Sequence, residues 1–356
     1  NPDALQPSLL LAAHYLRLGE KQKSLALAKK LQGTHPDDPN VLELLAKTKL
    51  ANNDKAGALE SYTKLAVVLP ESALAQYRVA SIHIAMQNPS AASDALKKAL
   101  AIKPDFLDAQ LAQAALAVRK GNHEQALAIA RQIQKQRGKS PVGYILEGDL
   151  LAGQKEPVLA TKAYEQAFAL NKSGPVLVKL HASLSQAGKA KEAGSRLTQW
   201  LKNHPADGFT RMYLAGTYLA EGQDKAAIEQ YQIMLKETPD FIPALNNLAW
   251  LYQQAKDPRA LEYAEKAYKL AADTPMVLDT LGWILVEQGN TARGLPLLRK
   301  ATSLAPQAAE FRYHLALGLV KSGDKAEARK ELEPLLATGK DFPGIEEARA
   351  LLRQLQ

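Results

Sequence analysis

The sequence predicts an all-α fold: a solenoid of about ten helix-turn-helix repeats over residues 1–342, closed by a capping helix over 343–356. Three observations predict it. The first is a proline period. Pro36, Pro70 and Pro104 lie 34 residues apart, Pro205 and Pro239 repeat the interval, and Pro306 follows Pro239 by 67, two periods less one residue. Proline lacks an N–H and blocks the preceding helical turn, so on this period it marks a recurring turn between helices. The second is a pair of small-residue positions. With each turn proline numbered 32, units start near residues 5, 39, 73, 107, 141, 174, 208, 242, 275 and 309. Position 8 is then Ala12, Ala46, Ala80, Ala114, Gly148, His181, Ala215, Ala249, Gly282 and Ala316. Position 20 is Ser24, Ala58, Ala92, Ala126, Ala160, Ala193, Ala227, Ala260, Gly294 and Ala328. Small side chains recur where two helices must approach closely. The third is composition: 46% hydrophobic but 6% aromatic, with Ala and Leu dominant, which favours helices over strands.

Each unit therefore reads as two short antiparallel helices. The turn between them falls near positions 15–18, as in Arg119-Lys-Gly-Asn122 and Glu221-Gly-Gln-Asp224. Repeat 1 begins at Leu5 and presents Leu9, Leu10 and Leu11 with no polar cap before them. Pro2 lies 34 residues before Pro36 and so takes position 32 of a repeat that is not present. Because the chain also begins at Asn1 without Met, it is expected to be a processed or truncated piece of a longer solenoid. Repeats 2 to 5 keep the pattern. Repeat 6 is the weakest, with His181 at the small position 8, Gly188 and Gly194 around its turn and second helix, and Trp200 at position 27. It reads as a slightly displaced helix pair, or as a hinge or change of curvature. Repeats 7 to 10 return to the pattern. From Pro343, Ile345, Ala348, Leu351, Leu352 and Leu355 form one face and Glu346, Glu347, Arg349 and Arg353 the other, as a solvating cap should.

Several function classes are disfavoured. The chain has no Cys, so a disulfide framework, a Cys-based metal site and a Cys nucleophile are excluded. The net charge of +8 is spread among interspersed acids and bases, unlike a nucleic-acid face. No apolar run reaches the roughly 18–20 residues of a membrane span. His123-Glu124 begins a zinc-protease motif, but Leu127 stands where its second His belongs, and the 7 His lack ligand spacing. Phosphate-loop, dinucleotide and nucleophile-elbow motifs are absent. An enzyme is not expected, nor a cofactor or metal.

The period, the small residues at 8 and 20, the aromatics near 24 (Tyr62, Tyr164, Tyr231) and Pro at 32 resemble the tetratricopeptide repeat, over nearly the whole chain. That resemblance implies a right-handed α-α superhelix whose concave groove is lined by positions 2, 5, 6, 9, 12 and 13 of each first helix. At those positions NNLAW (Asn246 to Trp250) and DTLGW (Asp279 to Trp283) stand out. Position 5 is Asn246 and Asp279, and position 9 is Trp250 and Trp283; residues four apart share a helix face. Tyr213, Asn247, Gln253, Tyr313 and His314 complete a candidate partner-binding set. Indoles would supply apolar area and the Asn and Asp hydrogen bonds, or each Trp would pack on the next repeat. The carboxylate clamp of chaperone-adaptor members is rejected. Asn247 fits position 6, but Met212, Gly216, Met276 and Thr280 leave the clamp without its cations.

The C-terminal segments PALNNLAWLY, KDPRALEYAEKAYKLA, PMVLDTLGWILVEQGN and FRYHLALGLVKSGDKAEARKELEPLL, supported by SPVGYILEGDLLAGQ, resemble one bacterial group more closely. It is the tetratricopeptide-repeat lipoprotein of the PEP-CTERM/exosortase sorting system, found with exopolysaccharide genes in Gram-negative bacteria. The resemblance implies a periplasmic or outer-membrane-associated scaffold binding proteins or peptides through its concave face. The family's lipid-bearing Cys is not in this chain. Direct binding of polysaccharide or peptide in the groove of repeats 7–10 is the alternative expectation.

Overall fold

In a computed structural model, residues 4–339 and 341–355 are described; Pro2 and Gln356 lie outside them. The described residues form α-helices and no strand. The first helices of the repeats are α1 (Leu5–Arg17), α3 (Pro39–Ala51), α5 (Ala73–Ala85), α7 (Leu107–Arg119), α9 (Val142–Gly153), α11 (Gly174–Gln186), α13 (Gly208–Ala220), α15 (Ile242–Gln254), α17 (Pro275–Glu287) and α19 (Ala309–Lys321). The second helices are α2 (Lys21–Thr34), α4 (Lys55–Val68), α6 (Pro89–Ile102), α8 (His123–Gln136), α10 (Pro157–Leu170), α12 (Ala190–Asn203), α14 (Asp224–Glu237), α16 (Arg259–Leu270), α18 (Thr291–Leu304) and α20 (Lys325–Ala337); α21 (Ile345–Gln354) follows.

One backbone device ends every first helix. The residue at position 15 has φ between +54° and +89° in all ten repeats. Six of these residues are Gly, and the others are Asn53, Gln87, Lys155 and Lys256. The next residue returns its N–H to the carbonyl five positions back, as in Asn122 to Ala117 (2.9 Å), Gln223 to Tyr218 (2.8 Å) and Asp257 to Tyr252 (2.8 Å). This double-back satisfies carbonyls that a helix end leaves open. In several repeats that next residue also caps the second helix: Asp54 accepts from Gly57 N–H, Asn122 from Gln125 and Asp324 from Glu327.

Positions 8 and 20 form the seam within each pair. The alanines there are fully buried, for example Ala46, Ala58, Ala249 and Ala260. In repeat 1, Ser24 at position 20 donates its hydroxyl to the Ala12 carbonyl at position 8 (2.7 Å). In repeat 9 the seam is tighter, since a Cβ on Gly294 would stand 2.7 Å from the Gly282 carbonyl oxygen. In repeats 2, 8 and 9 a lysine on the second helix ties the repeat to the turn before it: Lys64 to Asp37 (2.9 Å), Lys266 to Asp240 (3.2 Å) and Lys300 to Asp273 (2.6 Å). Such exposed pairs contribute about 0–1 kcal/mol each, so apolar burial carries the stacking.

Two prolines off the 34-residue period, Pro296 and Pro334, lie inside α18 and α20. Buried Leu295 and Leu298, and Leu332 and Leu335, hold those helices in place despite the missing N–H.

The chain divides into two compact units, 1–193 and 194–356. The division falls inside α12, the second helix of repeat 6. In the first unit the core runs through satellite clusters such as Leu42, Tyr62, Leu65 and Ile82. In the second, Tyr231, Leu248, Tyr252 and Leu281 anchor the largest cluster. At its end α21 lays Ile345, Ala348, Leu351 and Leu352, with Leu355 just after it, against a cluster that includes Leu332, Leu335 and Phe342.

Candidate functional site

Within the second unit, the first helices of successive repeats touch directly, α15 with α17 and α17 with α19. Their second helices meet the neighbouring repeat through its first helix, as α16 does with α17 and α18 with α19. The closer-set layer lies on the inside of the stack, so α13, α15, α17 and α19 present its inner face. That face is poor in free charge. Its Lys321 is paired with Glu287 (2.6 Å).

The structure separates the nine candidate residues by depth. Trp250 is open, with 42% of its surface exposed. Leu248 and Ala249 beside it are fully buried, because α15 turns them into the core. Asn246 is 3% exposed and Asp279 is 5% exposed. Each lies beneath the surface, and each leaves its Oδ1 buried without a hydrogen-bond partner. An unsatisfied buried acceptor costs about 1–3 kcal/mol; at Asp279 the other oxygen, Oδ2, is bonded. Asn247 is half-buried and donates from Nδ2 to the Tyr231 hydroxyl (2.9 Å). Burial pushes the Tyr231 phenol above its ordinary pKa, and the Asn247 bond offsets part of that rise. Gln253 and Tyr213 are half-buried, and burial likewise raises the Tyr213 phenol.

Trp283, His314 and Asp279 form one cluster. The Trp283 and His314 rings stack at 5.0 Å and 11°. His314 Nδ1 lies 2.8 Å from Asp279 Oδ2. Lys321 Nζ lies 5.7 Å from the Trp283 ring centroid, within cation–π range. Trp283 is thus half-buried and braced, while Trp250 is open. Tyr313 turns towards the cap, with its ring 6.0 Å from that of Phe342.

Sequence reasoning passed over a second feature, at the start of α13. Phe209 at position 2 is 58% exposed. Together with Arg211, Met212, Met234, Glu237 and Phe241 it lines a groove of about 590 Å³. Arg211 at position 4 is 6% exposed; Nη1 donates to Gln230 Oε1 (2.9 Å) and Nη2 to the Pro205 carbonyl (2.9 Å). Burial lowers its pKa, partly offset by the Asp207 and Glu237 charges. Asp207 caps α13. Burial alone would raise its carboxyl, but bonds from Thr210 N–H, the Thr210 hydroxyl and the Trp200 indole hold it below the ordinary value. The available signal was a polar residue at position 4, six residues after the turn proline. Gln110 plays that part in repeat 4, donating to the Pro104 carbonyl (3.1 Å).

Among the described residues, no group of three or more His, Cys, Asp or Glu is placed to hold a metal ion, and no helix is long and apolar enough to cross a membrane.

Comparison with known families decides what kind of repeat this is. Residues 43–105 and 80–141 match one tetratricopeptide-repeat family model, and residues 285–355 match another. The chain carries tetratricopeptide repeats. TPR repeat-containing protein PA4667 of Pseudomonas aeruginosa is 26% identical over 205 residues, covering 57% of this chain and 29% of that protein. Human protein O-mannosyl-transferase TMTC3 is 24% identical over 343 residues, covering 89% of this chain and 37% of that protein. The chain therefore spans about a third of the length of these relatives. The solved Cut9–Hcn1 hetero-tetramer of the APC/C aligns with a TM-score of 0.49 at 13% identity, over 97% of this chain and 95% of that one. Tetratricopeptide repeats in both compact units suggest a protein-interaction scaffold.

Proposed function

We propose that the chain is a non-enzymatic scaffold that holds protein or peptide partners on the inner face of repeats 7–10. The observation that carries the reading is an open indole, Trp250, set between half-buried Tyr213, Gln253 and braced Trp283 on a face with little free charge. Exposed aromatics beside amides give apolar contact with hydrogen bonding, the combination found at energetic centres of protein interfaces. The finer reading is service to bacterial envelope protein sorting or exopolysaccharide export, at a periplasmic or outer-membrane site. Its support is the resemblance of the C-terminal segments, and a bacterial relative is compatible with it.

Sugar binding is the less favoured reading. Two indoles stacking on successive sugar rings need open faces, and His314 covers one face of Trp283. The test is capture of partners from an envelope extract by wild type and by a Trp250→Ala/Gln253→Ala variant with unchanged circular dichroism. Loss of specific partners is expected. Identical partner sets would overturn the assignment of the face, and Trp250 fluorescence responding to exopolysaccharide instead would favour sugar.

A further inference from the structure

The groove at the start of α13 holds two opposite charges apart. Arg211 stands at position 4 and Glu237 at position 30 of the same repeat, and both line the groove. The equivalent pair in repeat 4 is closed, with Gln110 Nε2 donating to Gln136 Oε1 (2.7 Å). In repeat 7 that bond is missing. Among the described residues Glu237 makes no ion pair, and Arg211, though nine-tenths buried, has no carboxylate within ion-pair distance: its Nη atoms reach only the neutral Gln230 amide and Pro205 carbonyl. A buried guanidinium held only by neutral acceptors gains from a further acceptor that a guest supplies. Apart from exposed Thr238 the other side chains of the lining are apolar, chiefly exposed Phe209, half-buried Met212 and Phe241, and buried Met234. About 590 Å³ lies within the range of pockets that enclose a small guest.

The geometry points to a subsite for one large apolar side chain of a partner peptide together with its adjoining peptide bond. The carbonyl of that bond accepts from Arg211 and its N–H donates to Glu237, while the side chain fills the space between Phe209, Met212 and Phe241. A neutral amide satisfies both charges. A free carboxylate would meet Glu237, and an ammonium would meet Arg211. This inference rests on the reading of the chain as a binder of protein segments, and it names the chemistry of one residue of that segment.

The chain has four methionines, which makes the test selective. Met212 and Met234 line the groove, exposed Met276 reports on α17, and Met86 lies in the other unit. The whole chain, labelled with 13C at the methionine methyls, is titrated with N-acetyl-phenylalanine amide and observed by NMR. Saturable shifts of Met212 and Met234, with a dissociation constant on the order of 1 mM, are expected for so small a probe. Met86 should stay still. N-acetyl-phenylalanine, with its free carboxylate, should bind several-fold more weakly, and Glu237→Gln should narrow that gap. Phe209→Ala, which removes an exposed side chain, should weaken binding of the amide. Stationary Met212 and Met234, equal movement of Met86, shifts confined to Met276, or tighter binding of the free acid would each overturn the subsite. Trp250→Ala should leave this titration unchanged. Trip-wires are therefore separate: still methyls with Trp250-dependent partner capture defeat the subsite alone, and shifting methyls without that capture defeat the wider face alone.

Discussion

Position 15 permits a test of opposite signs at one place in the fold. Gly222 in repeat 7 and Lys256 in repeat 8 occupy it with φ +69° and +54°. A Cβ on Gly222 would meet nothing within 4 Å, so Gly222→Ala adds backbone strain without a clash. The left-handed conformation costs a residue with a Cβ about 1–2 kcal/mol. The smaller entropy of the unfolded alanine chain offsets about 0.4–1 kcal/mol of that. Gly222→Ala should therefore destabilise by about 1 kcal/mol. Lys256 already carries the strain, and Lys256→Gly should stabilise by about 0.5–1 kcal/mol through the same terms reversed. Asn53→Gly should gain less, because Asn adopts this conformation more readily. Urea unfolding followed by circular dichroism reads all three as shifts of midpoint at constant slope. No loss in Gly222→Ala, or a loss in Lys256→Gly, would refute the claim that the left-handed residue is what closes each first helix.

Three further outcomes follow from named contacts. A Cβ on Gly148 would overlap the Tyr164 ring, whereas one on Gly153 in the same helix meets nothing within 4 Å. Gly148→Ala should lower the melting temperature through about 1–3 kcal/mol of overpacking, and Gly153→Ala should raise it; equal effects would contradict the packing described. Asn246→Leu removes a buried acceptor that has no partner, and thermal unfolding should show a gain of about 1 kcal/mol; a clear loss would mean that Oδ1 has a stabilising role. Burial, with the nearby Glu43 charge, pushes the Tyr62 phenol up to about 12 from 10.0, with Arg78 opposing. Above pH 10 the unfolded chain gives up this proton while the folded chain keeps it, so the contribution is whole below pH 10 and lost as pH rises through 12. Its size is about 3 kcal/mol, and the alkaline arm of a stability–pH profile should flatten in Tyr62→Phe; an unchanged arm would refute it.

Much of the fold was legible because its determinants are local and repeated. Turn prolines on a 34-residue period cannot sit inside a helix, and small residues at positions 8 and 20 permit close pairing, so period and pairing could be read together. Pro296 and Pro334 were less legible, since apolar neighbours two residues or less away keep their helices intact. The candidate face was legible by helix position but not by depth. Asn246 and Trp250 are four residues apart on one helix, yet neighbouring repeats cover the first and leave the second open. His314 stacking on Trp283 joins two repeats, and spacing within one repeat carries no trace of it. The α13 groove depends on a bond that Gln136 makes with Gln110 and that Glu237 and Arg211 do not, a difference between residues of similar sequence polarity.

The account stands on partner contact at the inner face of the second unit. Site-specific photo-cross-linking in cells tests it most directly, with a benzophenone side chain placed once at Trp250 and once at Glu262, an exposed residue of the second helix α16. Discrete protein adducts from position 250, absent from position 262, are the predicted result. Adducts from position 262 with none from position 250 would contradict the account.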